Sequence, residues 1–186
     1  MARAEKGPDA AFPFFSNIFR LTGKVDNIML LAVFSDSHGN SGPMLRAVRQ
    51  YRPEHILFLG DGVSDAGAVA AAFPRIPLLI LRGNCDWNAA DCQESALLEL
   101  EGVRIFAAHG HRHNVKMDLE GFCNSVCCAG ASLGLYGHTH EARITRRDGV
   151  TLLNPGSIGS PYAPSCGLVR LHGGDFKCAI KRLERK

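Results

Sequence analysis

The chain has 186 residues, 46% of them hydrophobic and 21% charged, with a formal net charge of +3. This balance suits one globular domain with a core of its own, and the charge is too slight to imply a specific nucleic-acid partner. No apolar run approaches the ~20 residues that span a bilayer, since the longest, Ile28–Phe34, stops at Asp36.

Residues 1–28 differ from the rest of the chain. They carry four phenylalanines and two prolines without a clear period. Two readings stand: a disordered or groove-packing arm, or the product of a misplaced start codon with Met29 as the natural first residue. Residues 29–186 read as a single domain. The first segment also lacks the apolar core of a signal peptide, so a cytoplasmic location is expected.

From Met29 strands and helices alternate. A strand at Ile28–Phe34 ends in Asp36-Ser37-His38, and a helix over Pro43–Tyr51 comes next, with Pro43 suited to its first turn. The strand His55–Leu59 ends in Gly60-Asp61 and leads to a helix near Asp65–Phe73. The strand Leu78–Leu81 ends in Gly83-Asn84-Cys85-Asp86. Alternation of this kind predicts an α/β protein with a largely parallel sheet and right-handed crossovers.

Hairpins dominate the second half. Ala96–Leu100 and Val103–Ala108 flank Glu101-Gly102, and the second strand ends in His109-Gly110-His111. A helix over Asp118–Ala131 precedes the strand Leu133–Tyr136, which ends in Gly137-His138-Thr139-His140. Ala142–Arg146 and Val150–Leu153 flank Arg147-Asp148-Gly149, and Gly167–Leu171 and Phe176–Leu183 flank His172-Gly173-Gly174-Asp175. Gly provides the positive φ of tight reversals. Arg143, Arg146 and Arg147 read as a solvated hairpin face. The seven cysteines are odd in number and include no Cys-x-x-Cys pair, which predicts reduced, mostly buried thiols in a reducing cytosol.

Chemistry concentrates where strands end. Asp36 and His38 at spacing two would share one face of an extended segment, as would His138 and His140. Asp61 follows a glycine whose missing Cβ would let the backbone approach a bound ion, and its two oxygens suit it to bridge two cations. Asn84 is either an amide-oxygen ligand or a turn residue, because Gly-Asn is foremost a turn signal. A single histidine at a strand end is commonly an ordinary hydrogen-bonded residue. Here five of the 8 histidines fall in these motifs, beside two aspartates and an asparagine. The coincidence across five strand ends points to a metal site.

In this order, Asp-x-His, Gly-Asp, Gly-Asn, His and Gly-His-x-His resemble the signature of the calcineurin-like metallophosphoesterase superfamily. Phe34-Ser35-Asp36-Ser37-His38-Gly39-Asn40, Arg82-Gly83-Asn84-Cys85-Asp86 and Asn154-Pro155-Gly156-Ser157 resemble its small bacterial and archaeal YfcE-like phosphodiesterase branch. The resemblance runs from about Met29 to the C-terminus. It implies a two-sheet α/β sandwich flanked by helices, with hairpins toward the C-terminus. It also implies two divalent cations bridged by Asp61, one further held by Asp36, His38 and His140, the other by Asn84, His109 and His138. Mixed oxygen and nitrogen ligation favours Mn²⁺ first, with Fe²⁺, Zn²⁺ or Ni²⁺ as alternatives, over Ca²⁺.

The expected activity is metal-dependent hydrolysis of a small-molecule phosphodiester, with a metal-activated hydroxide attacking phosphorus in line. Ser37 has no partnered base outside the metal motifs. Many superfamily members have His after Gly-Asn, where this chain has Cys85, a weak donor. His111 and His113 are candidate replacements as proton donor or else surface residues, and the YfcE-like branch commonly carries Cys at this place. Asn40, Arg82 and His111 are candidate substrate contacts, and Arg82 suits equally a structural pair with Asp86 or Asp61. Thr139 and Asn154 would contact substrate or orient ligands. Specificity would lie in the loops Gly110–Lys116 and Ser160–Ser165, and homo-oligomers are common among relatives. The rival readings are a phosphomonoesterase or protein phosphatase, and a protein-binding scaffold such as the retromer subunit of the same fold.

Overall fold

The computed structural model describes residues 19–21 and 28–184. In chain order its elements are β1 (Phe19–Leu21), β2 (Met29–Phe34), α1 (Gly42–Tyr51), β3 (His55–Phe58), α2 (Val63–Ala72), β4 (Leu78–Ile80), β5 (Ser95–Leu100) and β6 (Val103–Ala108). A single 3-10 turn at His111–His113 comes next, then α3 (Glu120–Cys128), β7 (Leu133–Leu135), β8 (Arg143–Arg147), β9 (Val150–Asn154), β10 (Ser165–His172) and β11 (Asp175–Arg182). Each expected element from Met29 onward forms within a few residues of its expected bounds.

The strands make two sheets, of order β1-β5-β6-β7-β9-β8 and β11-β10-β2-β3-β4. Neither is wholly parallel. β2, β3 and β4 are parallel, as are β6, β7 and β9, while β5–β6, β8–β9 and β10–β11 are the expected hairpins. The hairpin turns put Glu101 and Gly102, Asp148 and Gly149, and Gly173 and Gly174 at positive φ, the twist that suits right-handed strands. β10 returns to pair antiparallel with β2, so β2 becomes an interior strand.

Burial on both faces explains why β2 and β3 read as unbroken apolar runs. Leu31, Val33, Leu57 and Leu59 face the other sheet and share a core with Leu98, Ile105, Leu133, Leu153 and Val169. Ala32, Phe34, Ile56 and Phe58 face the opposite way, onto Met44, Ala47 and Val48 of α1 and Ala66 and Val69 of α2. Phe122, Cys123 and Val126 of α3 cover the outer face of the six-stranded sheet through Phe106, Tyr136 and Leu152. The layers therefore run helix, sheet, sheet, helix, as expected.

The cysteine expectation is corrected in part. All seven thiols are free, but only Cys123 and Cys166 are buried, and Cys85, Cys127 and Cys128 are exposed. α3 offers one face to the sheet, so Cys123 points in and Cys127 and Cys128 stay outside. Of the segment 1–28, Phe19–Leu21 pairs parallel with β5; the remaining expectations for an arm or misplaced start lie outside the described residues, Ile28 apart. The arginines of β8 lie on an exposed edge strand. No described helix is long and apolar enough to cross a membrane.

Candidate metal centre

The ends of β2, β3, β4, β6 and β7 lie together, and each hands its motif to a loop at one rim of the sandwich. This is where parallel strands place ligand sites. Five of the seven candidate ligands, Asp36, His38, Asp61, His138 and His140, hold positive φ between 45° and 67°. Such backbone is strained for residues other than glycine, and it clusters at functional sites. It also corrects the expectation of extended alternation. Asp36 and His38 do meet, but through left-handed backbone at both residues. The two rings of His138-x-His140 part company.

One group joins Asp36, His38 and His140, and another joins Asp61, His109 and His138, each with ligand atoms within 4.8 Å of one another. In the first, His38 Nε2 and His140 Nε2 face each other at 3.2 Å, and Asp36 Oδ1 lies 3.2 Å from His140 Nε2 and 3.9 Å from His38 Nε2. Asp36 is fully buried, yet Oδ1 makes no hydrogen bond. Such an atom is costly unless a cation completes it.

The second group is more constrained. His109 is buried, and its Nδ1–H donates to the Leu59 carbonyl at 3.1 Å. In the neutral ring Nε2 then carries only a lone pair. That lone pair faces three oxygens: Asn84 Oδ1 at 3.2 Å, Asp61 Oδ2 at 3.4 Å and Asp36 Oδ1 at 4.0 Å. Acceptors converging on this nitrogen are satisfied by a positive charge between them, either a proton that makes the ring an imidazolium or a cation, and the donor set fits a metal ion.

Asp61 lies between the groups. Its Oδ1 accepts the Cys85 N–H at 2.8 Å, and a further candidate set joins it to His38 and Cys85. Burial alone would raise its pKa, but the His109 ring, where a proton fills the place beside Nε2, and the Cys85 N–H outweigh burial and hold the carboxyl well below the usual range. Burial, His109 and Lys116 push His138 down to about 4, while contact with Asp36 raises His140. Burial and the carboxylates around it raise the Cys85 thiol.

Two aspartates that the sequence did not single out hold the loops in place. Asp86 accepts four backbone N–H groups, from Asp61 at 2.7 Å, Gly62 at 2.9 Å, Val63 at 3.0 Å and Gly83 at 2.8 Å. Asp65, in the first turn of α2, accepts Ser37 Oγ at 2.6 Å and the Gly39 N–H at 2.8 Å. Ser37 is therefore buried and structural. Gly83-Asn84-Cys85-Asp86 is the only signal that foreshadowed Asp86: a carboxylate three residues beyond Gly83 can reach back to its N–H.

The glycines act differently from expectation. A Cβ on Gly60 would lie 2.3 Å from the Gly83 nitrogen, and one on Gly83 would lie 2.1 Å from Asp61 Oδ1. The β3 and β4 loops thus press backbone on backbone, and it is this contact, not an ion, that occupies the space beside Gly60. Gly83→Ala should displace the Asp61 carboxylate and cost about 1–3 kcal/mol through overpacking. Urea denaturation and metal titration of the variant would measure both effects.

The other candidates fall on either side of the centre. Arg82 donates to Glu94 at 2.7 Å, not to Asp86 or Asp61. Asp86 is committed to amides, while the Arg82 N–H to Gln93 carbonyl bond draws Glu94 alongside. Arg112 binds the same carboxylate. Asn40 is exposed, its amide N–H reaching the Gly159 carbonyl at 3.4 Å. The His111 ring lies 5.5 Å from that of His109 and 6.2 Å from that of His138. His113 instead packs edge-on against Phe106 and Phe122, away from the ligands, and is no candidate proton donor. Asn154 Nδ2 donates to the Gly137 carbonyl at 2.9 Å and Thr139 Oγ1 at 3.1 Å, so it orients the histidine loop. Ser157 Oγ donates to the Asp36 carbonyl at 2.8 Å, which brings the Asn154–Ser157 turn beside the centre.

Comparison with known proteins gives the family and the fold. The family model described as the calcineurin-like phosphoesterase superfamily domain matches residues 29–174. A probable metallophosphoesterase, YsnB of Bacillus subtilis (strain 168), is 30% identical over 133 residues, 72% of this chain and 77% of the relative. Among solved structures, a predicted phosphoesterase from Streptococcus pneumoniae TIGR4 superposes with a TM-score of 0.70 at 23% identity, covering 84% of this chain and 90% of the other. Vacuolar protein sorting 29 from Cryptosporidium parvum gives 0.65 at 17% identity, covering 85% and 99%. A structure described as a novel archaeal phosphodiesterase gives 0.62 at 19% identity, covering 82% and 100%.

Proposed function

The chain belongs to the calcineurin-like phosphoesterase superfamily, and from that premise we propose that it hydrolyses small-molecule phosphodiesters at a two-metal centre. The observation that carries the reading is that His109 Nε2 faces three oxygens, an arrangement that suits a cation at that place. Asp36, His38 and His140 would hold one ion and Asn84, His109 and His138 the other, with Asp61 shared between them. Mn²⁺ is the first ion to test, and Fe²⁺, Zn²⁺ and Ni²⁺ also suit mixed oxygen and nitrogen donors.

When bound, a pair of divalent cations acidifies a water and neutralises charge on the phosphate oxygens in an in-line displacement. The protein's part is positional. The Leu59 carbonyl fixes the His109 tautomer, the Cys85 N–H fixes one Asp61 oxygen, and the Asn154 amide fixes the loop of His138 and His140. His111 is the one uncommitted imidazole beside the ligands, and burial keeps it below the usual histidine range. That direction favours the neutral ring, a hydrogen-bonding group for substrate. Asn40 and Arg82 stand as further substrate contacts, Arg82 through a guanidinium already ordered by Glu94.

The diester preference is supported by the motif resemblance and by the description of the archaeal neighbour. The free thiols, three of them exposed, suit a reducing compartment, and we place the protein in the cytoplasm. Metal-stripped protein should regain hydrolysis of bis-p-nitrophenyl phosphate on addition of Mn²⁺ and turn over p-nitrophenyl phosphate more slowly. His109→Ala should lose about 10²–10³-fold in kcat. Faster monoester turnover would favour a phosphomonoesterase. No turnover with any of the four metals would favour a scaffold, the reading that likeness to vacuolar protein sorting 29 suggests.

A further inference from the structure

Cys85 stands at the position that removes the expected proton donor, and the structure gives its sulfur a different setting. Ligand atoms of His38, Asp61 and Cys85 lie within 4.8 Å of one another. The fully buried Asp36 Oδ1, which has no hydrogen bond, is 3.9 Å from His38 Nε2. His38 thus belongs to two groups at once, one with the unsatisfied Asp36 oxygen and one with the Asp61 carboxylate and the Cys85 sulfur. Asn84 Nδ2 donates to Cys85 Sγ at 3.3 Å while Asn84 Oδ1 faces His109 Nε2. One amide therefore steadies the sulfur with its N–H and aims its oxygen at the second group. The Cys85 N–H on Asp61 Oδ1 fixes the residue's backbone at the shared carboxylate.

We propose that Cys85 Sγ is a ligand of the cation held among Asp36, His38 and Asp61, so that this position favours a softer ion than oxygen and nitrogen alone would select. The inference rests on the two-metal reading and extends it. On binding, the S–H bond gives its proton to solvent and the sulfur electron pair passes to the cation; nothing is oxidised or reduced. Thiolate ligation moves preference toward Zn²⁺ and Fe²⁺ and away from Mn²⁺.

Titration of the metal-stripped full chain with Co²⁺ tests this independently of turnover. Wild type should develop a sulfur-to-cobalt charge-transfer band in the near ultraviolet. Cys127→Ser, which changes an exposed thiol on α3, should keep the band. Cys85→Ser should lose it, still bind Co²⁺, and lose about tenfold or more in affinity for Zn²⁺ relative to Mn²⁺. Two bound equivalents without the band in wild type would overturn thiolate ligation and leave the metal centre standing. A band surviving in Cys85→Ser would overturn it equally. No metal bound to wild type would overturn both readings.

Discussion

Asp61→Asn should lower turnover of bis-p-nitrophenyl phosphate by about 10³-fold or more and reduce bound metal from two equivalents to one or none. The substitution keeps shape and retains an oxygen to accept the Cys85 N–H, but it removes the charge shared by both donor groups. The cation that would satisfy His109 Nε2 then loses its nearest carboxylate. Metal should also stop stabilising the fold. At a concentration one hundred times its dissociation constant, a ligand adds about 2.7 kcal/mol to a one-site protein. For a chain of this length that corresponds to a rise of roughly 5–10 °C in Tm. Wild type should show the rise with Mn²⁺, and Asp61→Asn should not. Unchanged turnover with two equivalents still bound would remove Asp61 from its proposed place.

Asp86→Ala should be the most damaging substitution outside the ligands themselves. Four N–H groups converge on this carboxylate, from the ends of β3 and β4 and the entry to α2. Hydrogen bonds to a charged acceptor contribute about 1.5–3 kcal/mol each. Asp86 is only half-buried, and water will satisfy part of the loss, so a total on the order of 4 kcal/mol is expected. Asp86→Asn replaces one of the two acceptor oxygens with a donor that faces two N–H groups, and should recover only part of the loss. Because two of the amides belong to Asp61 and Gly83, Asp61 and the Asn84 loop should lose their relative position. Metal affinity should then fall even where the fold survives. Denaturant midpoints and metal stoichiometry measured on the same samples would separate the two effects. A destabilisation below about 1 kcal/mol would show that the amides find other partners.

Much of the molecule was legible from local pattern. β2 and β3 announced themselves as unbroken apolar runs because both faces are buried, one against the other sheet and one against α1 and α2. The hairpins at Glu101-Gly102, Asp148-Gly149 and Gly173-Gly174 were legible because positive φ has few acceptable residues. The return of β10 to pair with β2 was not. It is a contact between segments more than a hundred residues apart, and neither strand's sequence names its neighbour.

The amino-acid order by itself determined the chemistry available at the rim: two aspartates, four imidazoles and an amide, each placed at the end of a strand. Only the tertiary structure decided how they divide. Period-two alternation holds within a strand, and these residues lie just beyond one, in left-handed backbone that turns each side chain independently. His138 and His140 therefore serve different groups, although their spacing suggested a common face. The anchoring roles of Asp86 and Asp65 were likewise decided in three dimensions. Their partners are backbone N–H groups and a hydroxyl, most of them brought near from more than twenty residues away, and every residue but proline offers such an N–H, so no sequence pattern marks which ones a carboxylate will find.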